Sequence, residues 1–113
     1  MTATLNNTGV TKVYDGTTDT PAGFIPTYDV TGFVSGDTAA TISNTTQAYD
    51  DAHVLTASKV IVSGMDITSI TGSNSSEVND YDLTATSSET TATITPATLT
   101  PTLSNVGTTK VYD

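Results

Sequence analysis

The sequence predicts an all-β domain, and three observations lead there. Threonine makes up about a quarter of the 113 residues, far above ordinary usage. It is β-branched, suits a pleated surface and is a weak helix former. Short apolar alternations of period two recur along the chain, which is the pattern of half-buried strands. The stretches between them are rich in Gly, Asp, Asn and Ser, which form turns and interrupt helices.

The elements follow in order. Ala3 to Leu5 and Thr11 to Tyr14 are short strand candidates, and Asp15-Gly16 turns the chain after them. Val13 and Tyr14 are expected on opposite faces of their strand, one toward the core and one toward a rim or neighbour. Ile25 to Val30 comes next, then a turn at Ser35-Gly36-Asp37, then Ala39 to Ile42. His53 to Val62 is the longest candidate, and Val60-Ile61-Val62 implies burial on both sides. A Ser63-Gly64 turn leads into Met65 to Ile70, and the stretch from Gly72 to Asn79 reads as a loop. Tyr81, Leu83 and Ala85 alternate with Asp82, Thr84 and Thr86, and Ala92 and Ile94 alternate with threonines. Leu99 to Leu103 is the last candidate. Pro96 and Pro101 flank Leu99, and proline removes a ladder donor and stiffens the chain. Thr95 to Pro101 therefore reads as a short, extended, semi-rigid junction. Short strands separated by such turns predict a small immunoglobulin-like β-sandwich of two packed sheets. A β-grasp-like single sheet is the alternative, disfavoured because no helix is evident.

The two ends of the chain carry nearly the same phrase. At a shift of 98 residues Leu5 falls on Leu103, Asn7 on Asn105 and Gly9 on Gly107. Thr11-Lys12-Val13-Tyr14-Asp15 falls on Thr109-Lys110-Val111-Tyr112-Asp113. Self-similarity at a fixed period marks a repeat architecture, and this period matches one small domain. The expected organisation is one β repeat over residues 1–95, then a junction and the first segment of the next repeat over residues 96–113. Met1 reads as an added start.

Composition excludes several functions. The net charge is −9, from twelve acids against three lysines, with no arginine. Nucleic acid and anionic membranes both call for a basic face. No run near about 18 apolar residues marks a membrane span. Only 35% of the chain is hydrophobic and only 6% aromatic, so the core must be thin. Cysteine is absent, which rules out a thiol nucleophile and leaves the redox compartment open.

Other catalytic chemistry is equally sparse. A Ser/His/Asp triad would have to use His53, the only histidine, which is expected to be an ordinary residue at the start of a strand. No strained nucleophile elbow, phosphate loop, dinucleotide glycine pattern or zinc spacing occurs. The paired acids Asp50 and Asp51, or Asp80 and Asp82, lack an apolar pocket to tune them. No cofactor is expected. Calcium is the one metal to weigh, because it takes six to eight oxygens. Asp15, Asp50, Asp51, Asp80 and Asp82 are the candidate ligands, with Asp113 near a junction, although no stretch matches a known calcium loop. An internal Lys–Asn crosslink would draw on Lys59, and Asn-x-Ser/Thr triplets occur at Asn6, Asn44 and Asn74.

Several segments together carry a family resemblance. Lys12-Val13-Tyr14-Asp15-Gly16-Thr17-Thr18 resembles the signature of the YDG domain, a relative of MBG domains. Thr31-Gly32-Phe33-Val34-Ser35-Gly36-Asp37, Lys59-Val60-Ile61-Val62-Ser63-Gly64-Met65 and Asn79-Asp80-Tyr81-Asp82-Leu83 resemble further elements, with Asp80 inserted. Ala92-Thr93-Ile94-Thr95-Pro96-Ala97-Thr98-Leu99-Thr100 resembles the closing one. The middle, from Thr38 to Asp51, departs from the pattern. The resemblance implies a tandem repeat of a very large bacterial adhesin of the filamentous-haemagglutinin kind, secreted or on the cell surface. Its expected work is that of a monomeric stalk or spacer, contacting adjacent repeats while the parent meets a host-cell, glycan or abiotic surface during attachment or biofilm formation. No enzyme activity is expected. The alternative is a binding module, whose threonine-rich face itself grips a glycan, another copy or a host surface. On the spacer reading the marked residues are structural: Lys12, Tyr14, Asp15 and Gly16 at the first turn, and Pro96 and Pro101 at the junction.

Overall fold

A computed structural model describes residues 1–112. The strands are β1 (Thr2–Leu5), β2 (Val10–Val13), β3 (Tyr28–Thr31), β4 (Asp37–Ser43), β5 (Thr46–Tyr49), β6 (Lys59–Ser63), β7 (Asp66–Gly72) and β8 (Ser87–Thr95). One turn of 3-10 helix, Val78–Asp80, precedes β8, and no α-helix occurs among the described residues. The architecture is all-β, as the threonine content and the alternations predict.

The strands form three sheets. β1 pairs antiparallel with β3, β4 pairs antiparallel with β7, and the largest sheet runs β2-β8-β6-β5. Within that sheet β2 lies parallel to β8, while β8 with β6 and β6 with β5 are antiparallel. The chain therefore leaves one sheet after Leu5 and enters another at Val10. Asn6 and Asn7 make this crossing possible. The Asn6 amide donates to Asp29 Oδ1 at 2.9 Å, and the Asn7 amide donates to the Ile25 carbonyl at 2.9 Å. Asn7 Oδ1 accepts the Thr27 N–H at 2.9 Å, and Gly9 takes the left-handed conformation, φ 65°, that ends the crossing.

A single core lies between the sheets, giving a small sandwich-like domain rather than the single sheet of the β-grasp alternative. Ala3 and Leu5 enter it from β1, Val10 from β2, Tyr49 from β5, Val60 and Val62 from β6, and Ala92 and Ile94 from β8. Met65 completes this cluster, Tyr28, Val30 and Ile42 pack against it from β3 and β4, and Ile67 of β7 is buried as well. β6 runs between two neighbours, and Val60 and Val62 are fully buried, each worth about 1.5–3 kcal/mol by removal from water. Ile61, on the other face, is half-buried.

Four expectations are corrected. His53 to Ala57 is a turn rather than strand, because the His53 carbonyl accepts the N–H groups of Thr56 and Ala57. Tyr81 and Leu83 are half-buried and Asp82 and Thr84 exposed, but Ala85 is exposed too, and no neighbouring strand completes a ladder. Leu99 to Leu103 is exposed and unpaired. Neither Val13 nor Tyr14 reaches the core, at 58% and 39% exposure. The inward residues of β2 are Val10 and Lys12, and the Lys12 side chain is 7% exposed. β5 lies in the threonine- and aspartate-rich middle, where no strand was expected.

Candidate functional site

The YDG motif builds a polar latch around Lys12. Period-two alternation puts Val10 and Lys12 on the same inner face of β2. An ammonium brought inside needs oxygens for its three protons. Lys12 Nζ donates to Asp15 Oδ1 at 2.8 Å, to the Thr17 carbonyl at 3.0 Å and to the Asp19 carbonyl at 2.6 Å. It also lies 5.2 Å from the centre of the Tyr49 ring, within cation–π range. Asp15 Oδ1 additionally accepts the Thr17 N–H at 3.0 Å and the Thr17 hydroxyl at 2.9 Å. These bonds, the one from Lys12 foremost, lower the Asp15 carboxyl from 3.8 to about 2. Gly16 turns the chain at φ 81°, in the region glycine favours. Lys12, Asp15 and Gly16 thus meet at the first turn.

A second latch joins two motif segments that are far apart in sequence. The Tyr81 hydroxyl donates to Asp37 Oδ2 at 2.6 Å and accepts the Val34 N–H at 2.9 Å. The Ser76 hydroxyl donates to the same Asp37 oxygen at 2.6 Å. Asp37 is the one buried charged residue among those described, and these bonds, from Ser76 first and then Tyr81, hold its carboxyl below the usual range. The Gly36-Asp37 turn is therefore also an anchor for the loop that leads to Tyr81. The pairing was not expected from sequence.

Tyr14 does not join the latch. Its ring stacks on His53, with centroids 6.2 Å apart and planes 17° from parallel, while its N–H donates to the Thr95 carbonyl at 2.8 Å. Beside this pair Val54, Pro96, Ala97 and Leu99 line an open, mostly apolar recess of about 400 Å³. Pro101 lies beyond it in the exposed stretch that follows β8.

The five acids weighed for calcium are dispersed. Asp15 binds Lys12. Asp50 accepts the Ser58 N–H at 3.0 Å and the Ser58 hydroxyl at 2.7 Å, closing the turn before β6. Asp51 accepts the His53 N–H at 2.8 Å, and Asp80 accepts the Glu77 N–H at 2.8 Å. Asp82 uses its backbone carbonyl, which accepts the Met1 ammonium at 3.1 Å. Among the described residues no group of three or more His, Asp or Glu is arranged to hold a metal ion. Asp113 lies outside the described residues. Lys59, the residue weighed for a crosslink, has a side chain 40% exposed and pairs with Glu89 at 3.1 Å; the Lys12 side chain is the more enclosed, at 7% exposure, and its partners include no asparagine. The amides of Asn6, Asn44 and Asn74 are all engaged in hydrogen bonds. No helix among the described residues is long and apolar enough to cross a membrane.

Comparison with known proteins agrees with the motif geometry. The family model described as "YDG domain" matches residues 1–92, from β1 into the middle of β8. No functionally described protein and no solved structure matches the chain. The match spans both latches and all of β1 to β7, and reaches into β8, so the chain belongs to the YDG domain family.

Proposed function

We propose that this domain is a spacer repeat in the stalk of a large bacterial adhesin, on the cell surface or secreted, that holds a distal binding region away from the cell. One observation carries the reading. β8 ends at Thr95, and the counterpart of Thr2, which opens β1, is Thr100. A following copy thus begins its first strand almost at once, and the chain passes from repeat to repeat without a long linker. The acidic surface suits crowded copies, since like charge keeps them apart. Adjacent repeats are the direct partners, and the parent's distal region meets the host-cell, glycan or abiotic surface in attachment or biofilm formation. The reading includes no catalysis: His53 is exposed and stacked on Tyr14.

One observation favours the alternative of a binding module. Exposed Thr11 and Thr93 set their hydroxyls 3.1 Å apart on β2 and β8, beside a groove of about 510 Å³ that Thr8 and Thr91 also line. Probing a glycan array with the single repeat decides between the two. The spacer reading expects no glycan retained above a chain with an unrelated fold. Saturable binding that Thr93→Ala abolishes would replace it with the binding module.

A further inference from the structure

The stretch after β8 holds a second copy of the segment that opens the domain, and position 1 of that segment is structurally committed. At the shift of 98, Leu99 corresponds to Met1 and Thr100 to Leu103 correspond to β1. The Met1 carbonyl accepts the Thr84 N–H at 2.9 Å, and the Met1 nitrogen donates to the Asp82 carbonyl at 3.1 Å. A Cβ on Gly32 would lie 3.1 Å from Met1 Cα, so the glycine makes room for the backbone there. These contacts use only main-chain atoms of residue 1, which any amino acid supplies. Leu99 can fill the same slot in a following copy, its N–H and carbonyl taking the two bonds that Met1 makes here.

Leu99 also belongs to the first copy. With Pro96 and Ala97 it lines the recess beside Tyr14, His53 and Val54, where it is 89% exposed in the single repeat. Only Pro96, Ala97 and Thr98 separate it from the end of β8. The Pro96 ring fixes one φ and restricts the residue before it. Gly107 agrees with the correspondence: its φ of 66° matches the 65° of Gly9, so both glycines take the left-handed conformation.

We propose that Leu99 is shared by consecutive repeats, its backbone locked into the Asp82–Thr84 edge of the following copy while that copy's end covers the recess at Tyr14, His53 and Val54. The occupant of the recess is the next repeat of the same chain. The inference rests on the spacer reading in taking the last residues as the start of a following copy. It adds that the joint is rigid and names the surfaces that meet.

The test is a protein of two copies in which Thr98 of the first is followed by Leu99 and then residues 2–95 again. A matched protein carries Gly-Gly between Thr98 and Leu99, which leaves both folded bodies intact. Residual dipolar couplings report whether the copies reorient independently. The direct join is expected to give one common alignment tensor, and the insertion to reduce the second copy's tensor at least twofold relative to the first. The Tyr14 and His53 ring resonances should shift from single-copy positions in the direct join and return in the Gly-Gly protein. Equal freedom in the two proteins, or unshifted rings in the direct join, overturns the proposal. Such a result leaves a flexible spacer standing. Glycan binding by the single repeat removes the spacer reading while leaving a rigid joint standing.

Discussion

Tyr81 and Asp37 lie 44 positions apart in sequence and share a 2.6 Å hydrogen bond at the start of β4. The same tyrosine hydroxyl accepts the Val34 N–H, so one side chain ties the loop before β8 to both sides of the Gly36 turn. Two segments of the family pattern are thereby one structural unit. Tyr81→Phe is expected to lower the melting midpoint, and Asp37→Asn to lower it further, because Asp37 also holds Ser76. Residues in one network couple, so the double variant should lose less than the sum of the single losses. Thermal unfolding of the four proteins measures this, and simple additivity would show that the bond carries no energy of its own.

Acid should unfold the domain partly through Asp15. Its folded carboxyl titrates at about 2 against an ordinary 3.8, chiefly because Lys12 donates to it. A depressed folded value means that the stabilisation is fully present above about pH 4 and is lost as pH falls toward 2. The carboxyls of Asp37, Asp50 and Asp51 are also lowered and act with the same sign. Asp15→Asn should flatten the pH dependence of stability between pH 4 and 2. Lys12→Met should move the Asp15 midpoint, followed by carboxyl NMR, upward toward 3.8. An unmoved midpoint would mean that the lysine is not the main cause.

Gly64 should tolerate no side chain. Its φ is 66°, and a Cβ there would lie 1.8 Å from Thr45 Oγ1. The left-handed conformation alone costs an L-residue about 1–2 kcal/mol, and the clash adds to it. Gly64→Ala is therefore expected to destabilise by more than that, read from denaturant unfolding. Thr45→Ala should recover only part, since the Thr45 Cβ itself would sit 2.9 Å away.

Core and terminal stretch should respond differently to the same kind of truncation. Ile94 is 3% exposed between the sheets, and Ile94→Ala is expected to cost about 2–5 kcal/mol. Leu103, the counterpart of Leu5, is 87% exposed, and Leu103→Ala in the single repeat should stay within about 0.5 kcal/mol. Leu5→Ala should behave like Ile94→Ala, because β1 has a partner in β3. Equal sensitivity at Leu5 and Leu103 would mean that the terminal stretch contributes to this domain's own core.

The strands were legible where alternation coincides with a ladder, as at Ala3 to Leu5, Val60 to Val62 and Ala92 to Ile94. Alternation reports which side chains face inward, but it says nothing about whether a neighbouring strand exists, and Tyr81 to Ala85 failed on that point. β5 was invisible because Thr46-Gln47-Ala48-Tyr49 carries only one large apolar residue; Tyr49 is buried with its hydroxyl donating to the Thr93 carbonyl at 2.8 Å. The parallel pairing of β2 with β8 depends on a crossing between sheets, which no local pattern encodes. The Lys12 latch had a usable signal. A lysine two residues after Val10 in a short strand, followed by Asp15, fits a buried cation meeting its counter-charge. The Asp37–Tyr81 bond had none, because nothing local links residues so distant.

Small-angle X-ray scattering on proteins of one, two and three directly joined copies bears most closely on the spacer reading. The maximum dimension should rise by the same increment with each added copy, as for a stack of bodies sharing one axis. A second or third copy that folds back and leaves the dimension nearly unchanged would show that the domain does not work as length.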